Sequence, residues 1–115
     1  MSLPSAVQLA ALEQRLGYQF SDPGLLHRAL THRSAQKDHN ERLEFLGDSL
    51  IGMIAAATFY EDYPDASEGV LSRLRASVVS GKSLAAVARH LDLSDCLILG
   101  ESERKSGGRH RDSIL

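Results

Sequence analysis

The sequence predicts an all-α fold in which residues 1–115 form one domain. Apolar residues recur at three- and four-residue spacings in five segments, as on one face of a helix. Residues that typically start and stop helices stand at the borders of these segments. No segment alternates apolar and polar residues in the manner of a half-buried strand. A chain of this length encloses one hydrophobic core.

The first predicted helix covers residues 5–16, with Ser5 as its N-cap and Gly17 as its stop. The second begins at Pro23, because Asp22 offers a capping carboxylate and proline suits the first helical position. A polar stretch, residues 31–39, then breaks the apolar spacing.

Residues 40–60 are predicted to form a long central helix that Tyr63 and Pro64 bring to an end. Residues 50–57 are apolar on every side, which is typical of a buried helix. We therefore expect a helical bundle around this buried helix. Its predicted core stripe consists of Leu43, Leu46, Leu50 and Ile54.

A fourth helix is expected after Ser67 and a fifth after Ser80. Residues 93–99 form a short apolar segment, and the glycine-bearing polar residues 101–111 have the composition of a loop. Ile114 and Leu115 are interpreted as the opening of another helix.

Composition indicates a soluble chain, with 43% hydrophobic and 24% charged residues. The formal charge of −2 excludes the strongly basic balance of a free-standing nucleic-acid binder. The single cysteine, Cys96, stands among apolar neighbours and is expected to be buried in a protein of a reducing compartment. No signal peptide is recognisable, and the apolar run 50–59 is too short for a bilayer. We expect a cytoplasmic protein without a membrane partner.

Three acids share one face of the central helix. Glu41, Glu44 and Asp48 stand at positions i, i+3 and i+7, opposite the core stripe. Solvated acids near a helix N-terminus are common and suit the helix dipole. Here, however, the acidic face has no interleaved Lys or Arg and runs into the apolar part of the helix. Carboxylates at the edge of a core need partners, and a hard divalent cation is a natural one.

The central segment Asn-Glu-Arg-Leu-Glu-Phe-Leu-Gly-Asp-Ser, residues 40–49, resembles the signature of the ribonuclease III family of double-stranded-RNA endonucleases. Other matching stretches are Leu-Thr-His-Arg-Ser at 30–34, Ser-Glu-Gly at 67–69, Leu-Arg-Ala at 74–76, and Gly-Gly with Arg-Asp-Ser-Ile-Leu at 107–115. The similarity extends from about Leu12 to Leu115.

The resemblance implies a helical endonuclease domain of bacterial type that uses Mg²⁺, or alternatively Mn²⁺, to cleave double-stranded RNA. Glu44 would be a direct metal ligand, and Asp48 would hold the metal directly or through water. Glu41 would be a supporting acid, and Glu68 would act near the scissile bond and the dimer interface. From the residues alone, Glu68 is better explained as an acid at the first helical position, where the dipole of its own helix favours it. The family also implies a homodimer, with Phe45 beside the acidic face.

The sequence departs from the family in one respect. The family's second acidic pair would fall just after Leu115, and the usual double-stranded-RNA-binding domain does not follow. We therefore expect a C-terminally truncated endonuclease domain with impaired catalysis. A non-catalytic RNA-binding or dimerising module of the same fold is the first alternative. A helical interaction domain whose acids are only solvated is the second.

Basic residues gather near the C-terminal end of the sequence. Arg104, Lys105, Arg109 and Arg111 are candidates for contact with RNA phosphates, although a solvated loop has the same composition. His32 is interpreted as a structural residue and not as a catalytic base.

Overall fold

The structure is a computed structural model, and it describes residues 3–115. Over this range the chain forms six α-helices, two 3-10 helices and no strand. The α-helices are α1 (Ala6–Leu16), α2 (Pro23–Ala29), α3 (Glu41–Asp62), α4 (Glu68–Val78), α5 (Gly81–His90) and α6 (Glu101–Lys105). The 3-10 helices are Leu93–Cys96 and Gly108–His110. The prediction of an all-α fold is confirmed.

Local capping explains where four of these helices begin. In each case a side-chain oxygen accepts a hydrogen bond from a backbone N–H of the first turn, which has no partner inside the helix. The capping side chains are Ser5, Asp22, Ser67 and Ser80. Gly17 ends α1 with a φ of 70°, a left-handed conformation that glycine adopts readily. The predicted helix starts and the Gly17 stop are confirmed.

The hydrophobic core lies around residues 96–99, which are at most 5% exposed. Leu12 of α1, Leu26 of α2 and Leu30 pack together with Cys96. Burial raises the pKa of the Cys96 thiol, and this cysteine forms no disulfide. The expectation of a buried, unreactive cysteine agrees with this environment.

A short backbone pairing connects this core to the start of α3. Ile98 N donates to Leu30 O at 2.9 Å, and His32 N donates to Ile98 O at 2.9 Å, which makes an isolated parallel bridge between Thr31 and Ile98. On its other side Thr31 O accepts from Asn40 N at 3.0 Å. The residue immediately before α3 is therefore tied to the buried segment.

The expectation of a buried central helix is wrong for this chain. No residue of α3 is buried, and the predicted core residues Leu46, Leu50 and Ile54 are 59%, 53% and 54% exposed. The physical reason is that α3 packs along its length mainly against α4, while the core is built from α1, α2, α5 and residues 96–99. An all-round apolar sequence shows that a helix can be buried, but burial also requires elements to cover it.

The prediction of a loop over residues 101–111 is also wrong in part. Residues 101–105 form α6, and residues 108–110 form a 3-10 turn. In α6 acidic residues occupy the first turn and basic residues the last, as the helix dipole favours. Ile114 and Leu115 lie in a turn, in which both N–H groups donate to Arg111 O at 3.1 Å.

By length and composition alone, α3 is the one helix among residues 3–115 that could cross a bilayer. A single such helix is weak evidence that the chain crosses a membrane. Its first two turns also carry Glu41, Glu44 and Asp48, which are costly in hydrocarbon.

We predict that Gly100→Ala lowers the free energy of unfolding by about 1–3 kcal/mol. A Cβ at this position would overlap the backbone of Ser34, so one of the two segments must move. Gly81→Ala is the matched control, since nothing lies within 4 Å of its Cβ position. Chemical denaturation of the two variants checks this, and equal stabilities would contradict the assigned close approach.

Candidate active site

The start of α3 presents the predicted acids at the edge of the core. Asn40 occupies the N-cap position, but its side chain makes no capping bond; Nδ2 instead donates to Ala29 O at 3.0 Å. The backbone N–H of Asn40 also donates to Thr31 O. These two hydrogen bonds together anchor the first turn of α3. Glu41 and Glu44 lie in that turn, and Asp48 follows one turn later on the same side as Glu44.

Glu44 and Asp48 line one cavity of about 510 Å³, which we call the acid cavity. Leu84 and Ala85 of α5 also line it, and Asp112 and residues 113–115 border it as well. Within residues 3–115 neither the Glu44 carboxylate nor the Asp48 carboxylate accepts a hydrogen bond or forms an ion pair. Two carboxylates spaced i, i+4 on one helix repel each other unless a cation relieves them.

Glu41 lies in a second, smaller cavity of about 280 Å³, which Glu44 also lines. Arg33 Nη1 donates to Glu41 Oε1 at 3.3 Å, so Glu41 is held by a basic side chain. The three predicted acids therefore lie close together, but only Glu44 and Asp48 share the acid cavity and lack a partner in the described range.

Sequence reasoning missed Glu103, a further acid of the smaller cavity. Glu103 forms an ion pair with Arg111, whose other guanidinium nitrogen donates to Ser106 O at 3.1 Å. Glu103 and Glu41 line one cavity although they are far apart in the sequence, and no local pattern signals this. The acid face of α3 is thus bordered by a neutralised Glu103–Arg111 pair.

The donor set fits a hard divalent cation in part. Mg²⁺ commonly takes one or two carboxylates together with waters and substrate phosphates, and Mn²⁺ accepts the same oxygen donors. Glu44 and Asp48 supply two unpaired carboxylates beside open space. No group of three or more His, Cys, Asp or Glu side chains among the described residues is placed to hold a metal ion. A cation at this position would therefore complete its shell mainly with water.

Glu68 is not brought to the acid cavity. It is the first residue of α4 and lines a separate pocket with Tyr60 and Arg75. Tyr60 lies about 18 Å along α3 from Asp48 at ~1.5 Å per residue. Within one chain, Glu68 is too far away to act together with Glu44 and Asp48.

Most of the predicted RNA-binding residues have internal partners. Arg104 donates to Glu101 at 2.8 Å, which lowers the pKa of that carboxyl to about 2. Arg109 Nη1 donates to the carbonyl oxygens of Ser94 and Leu97 at 2.7 and 2.8 Å. Arg111 pairs with Glu103. Lys105 is exposed and has no partner among residues 3–115.

His32 is likewise occupied locally. Its Nδ1 lies 2.8 Å from Ser34 Oγ, and Ser34 N donates to it at 3.1 Å. Ser34 Oγ also accepts from Gly100 N at 2.9 Å. This network agrees with the structural role expected for His32, because it connects the segment before α3 to the segment before α6.

Comparison with known proteins identifies what this arrangement is similar to. The profile of a family described as Ribonuclease-III-like matches residues 22–115. "Ribonuclease 3" of Idiomarina loihiensis is 53% identical over 100% of this chain and 50% of its own length. "Ribonuclease 3" of Methylococcus capsulatus is 59% identical over 90% of this chain and 45% of its own length. That of Colwellia psychrerythraea is 57% identical over 93% of this chain and 40% of its own.

Solved structures show the same likeness. A nuclease domain of ribonuclease III from Campylobacter jejuni superposes with a TM-score of 0.90 at 41% identity, covering 92% of this chain and 75% of that one. A second structure of that domain gives a TM-score of 0.88. The chain spans about half the length, or less, of the curated relatives described above.

We predict that Arg109→Ala lowers the free energy of unfolding by about 1–3 kcal/mol, because two part-buried carbonyl oxygens lose their donor. Lys105→Ala is the control: it removes the same charge four residues away and breaks no contact within residues 3–115. Urea denaturation of both variants measures the difference. An Arg109→Ala protein as stable as Lys105→Ala would show that the guanidinium is dispensable to the fold.

Proposed function

Because this chain belongs to the ribonuclease III-like family, we propose that it is the endonuclease domain of a bacterial enzyme that hydrolyses phosphodiester bonds in double-stranded RNA during RNA processing. The observation that carries the proposal is the acid cavity. Glu44 and Asp48 line it together, and no basic side chain of residues 3–115 neutralises either of them. Such a pair is suited to a cation and not to a phosphate.

In this proposal Glu44 and Asp48 hold Mg²⁺ or Mn²⁺. When bound, the metal supplies an activated water and neutralises charge on the phosphoryl oxygens. The remaining work belongs to the side chains. Arg33 holds the carboxylate of Glu41, the first residue of α3. The anchored Asn40 fixes the start of the helix and so the direction in which Glu44 projects. Orientation by such supporting contacts is what makes a metal-binding carboxylate effective.

We propose that RNA contact relies on Lys105 and on a bound cation more than on the arginines nearby. Arg104, Arg109 and Arg111 are engaged internally, so part of the charge and donor capacity of each guanidinium is already used. A formal charge of −2 adds no general attraction to a nucleic acid.

We also propose a cytoplasmic location, which the free Cys96 supports.

We also propose that two copies of the chain associate through α3. Phe45 and Met53 are 77% and 65% exposed, and an apolar surface of this kind marks an interaction site. The Campylobacter jejuni nuclease domain has a region involved in dimer formation. A second copy would also bring a Glu68 to a site that it cannot reach within its own chain. The same exposed face favours the alternative of a dimerising module without catalysis.

We predict that millimolar Mg²⁺ or Mn²⁺ raises the melting temperature of the chain, because a ligand that binds only the folded state stabilises it. At about 100 times the dissociation constant the gain is ~2.7 kcal/mol. The shift should disappear in Glu44→Gln and Asp48→Asn. Thermal unfolding followed by circular dichroism measures it.

Glu61→Gln is the matched control for the metal titration. It removes one negative charge from the far end of the same helix, where Glu61 is exposed and has no partner among the described residues. Its response should equal that of the wild type. Equal shifts in Glu44→Gln and Glu61→Gln would contradict a metal site in the acid cavity, and no shift in the wild type would favour the dimerising module.

We predict that the 115-residue chain cleaves duplex RNA at least ~10–100 times more slowly than a chimera that continues after Leu115 with the corresponding segment of Idiomarina loihiensis Ribonuclease 3. The reason is the second acidic pair that the family resemblance implies. A gel assay with labelled duplex RNA measures both rates, and the chimera with Glu44→Gln is the inactive control. Equal rates would show that two carboxylates are enough.

A further inference from the structure

Arg89, in the last turn of α5, holds the segment that borders the acid cavity. Its Nη2 donates to His110 O at 3.2 Å and forms an ion pair with the Asp112 carboxylate. The same helix lines the acid cavity with Leu84 and Ala85. One helix therefore provides part of the cavity surface and the attachment of its border.

The border segment, residues 112–115, forms few other hydrogen bonds or ion pairs. Its backbone makes only local bonds, from Ile114 N and Leu115 N to Arg111 O. Among residues 3–115, the pair with Arg89 is the one ion pair that this segment makes. Yet residues 112–115 all line the cavity that contains Glu44 and Asp48. Asp112 is therefore the residue through which a side chain of α5 holds this segment.

We propose that Arg89 is a positioning residue that acts through Asp112 and keeps residues 112–115 in place as a wall of the acid cavity. The pair also keeps the Asp112 carboxylate neutralised next to two unpaired acids. The role of this wall in metal binding rests on the proposed function, whereas the holding of the segment does not.

The first measurement is amide hydrogen exchange on the whole 115-residue chain without metal. In Arg89→Ala the amides of Arg111, Ile114 and Leu115 should exchange about 5–30 times faster, as the loss of one or two contacts implies. The amides of His32 and Ile98, which pair in the core bridge, should be unchanged. Unchanged exchange at residues 111–115, or equally faster exchange at the core bridge, would overturn the local role.

Charge reversal separates positioning from a general effect of the substitution. Arg89→Asp alone should release the segment as Arg89→Ala does, and combining it with Asp112→Arg should restore slow exchange. Arg89 and Asp112 are 48% and 51% exposed, so both positions tolerate the exchange of side chains. A double variant that stays as fast as the single one would overturn the assignment to this pair.

Metal titration then tests whether the wall affects metal binding. The direction in which Mn²⁺ affinity changes in Arg89→Ala distinguishes positioning from a simple charge effect. If Arg89 positions the wall, Arg89→Ala weakens Mn²⁺ binding by about tenfold or more, as the loss of supporting contacts does at metal sites. If Arg89 acted only by its charge, removing it would strengthen cation binding, and this result would overturn the proposal. Lys37→Ala is the control, because it removes one exposed charge without a partner in residues 3–115 and should leave affinity unchanged.

The two proposals fail in different ways. A wild-type chain that binds no metal overturns the proposed function, while hydrogen exchange still decides whether Arg89 holds residues 112–115. A wild-type chain that binds Mn²⁺, with equal affinity in Arg89→Ala, overturns the positioning role and leaves the proposed function standing.

Discussion

The pairing of the backbone at residues 30–32 with Ile98 on one side and Asn40 on the other is the constraint on which the site depends. Thr31 is fully buried, and its hydroxyl donates to His27 O at 2.6 Å, so no polar group is left unsatisfied there. Because Asn40 is the residue before α3, the core sets the origin and direction of that helix. The carboxylates of Glu44 and Asp48 inherit their positions from this hydrogen-bond network and not from side-chain partners of their own.

The same anchoring explains why the N-terminal end of α3 is fixed to the core while the rest of the helix is largely exposed. A helix of 22 residues is about 33 Å long at ~1.5 Å per residue, whereas the core lies near its first turns. Among the described residues, α3 packs beyond that point mainly against α4, and large apolar side chains such as Leu50 and Met53 remain half or more exposed. Complete burial of such a side chain contributes about 1.5–3 kcal/mol relative to full exposure, and half or more of that remains to be gained here. Under the proposed dimer, this exposed surface would favour association at the helix that also carries the acids.

The parts of the fold that could be predicted from the sequence are those set by local chemistry. Capping by Ser5, Ser67 and Ser80 requires only neighbours within one turn, so these helix starts were predictable. The exposure of α3 was not predictable, because an apolar pattern shows what a helix can bury and not what is present to cover it. Among the candidate site residues, Glu44 and Asp48 lie together because they share one helix. Glu103, Arg89 and Asp112 belong to segments whose meeting is set by tertiary packing, and no spacing in the sequence indicates it.

The internal use of arginines also bears on the order in which ligands bind. Between residues 104 and 112, guanidinium groups are committed to carbonyl oxygens or to carboxylates, as Arg109 and Arg111 illustrate. The acid cavity therefore keeps the negative charge of Glu44 and Asp48, and an RNA phosphate that approached it alone would be repelled. Under the proposed function, a divalent cation must be present before a phosphate can come close to these acids. Metal would then be required for substrate to bind at the site as well as for the reaction, because its two positive charges offset the two carboxylate charges and provide a cation for the phosphate oxygens.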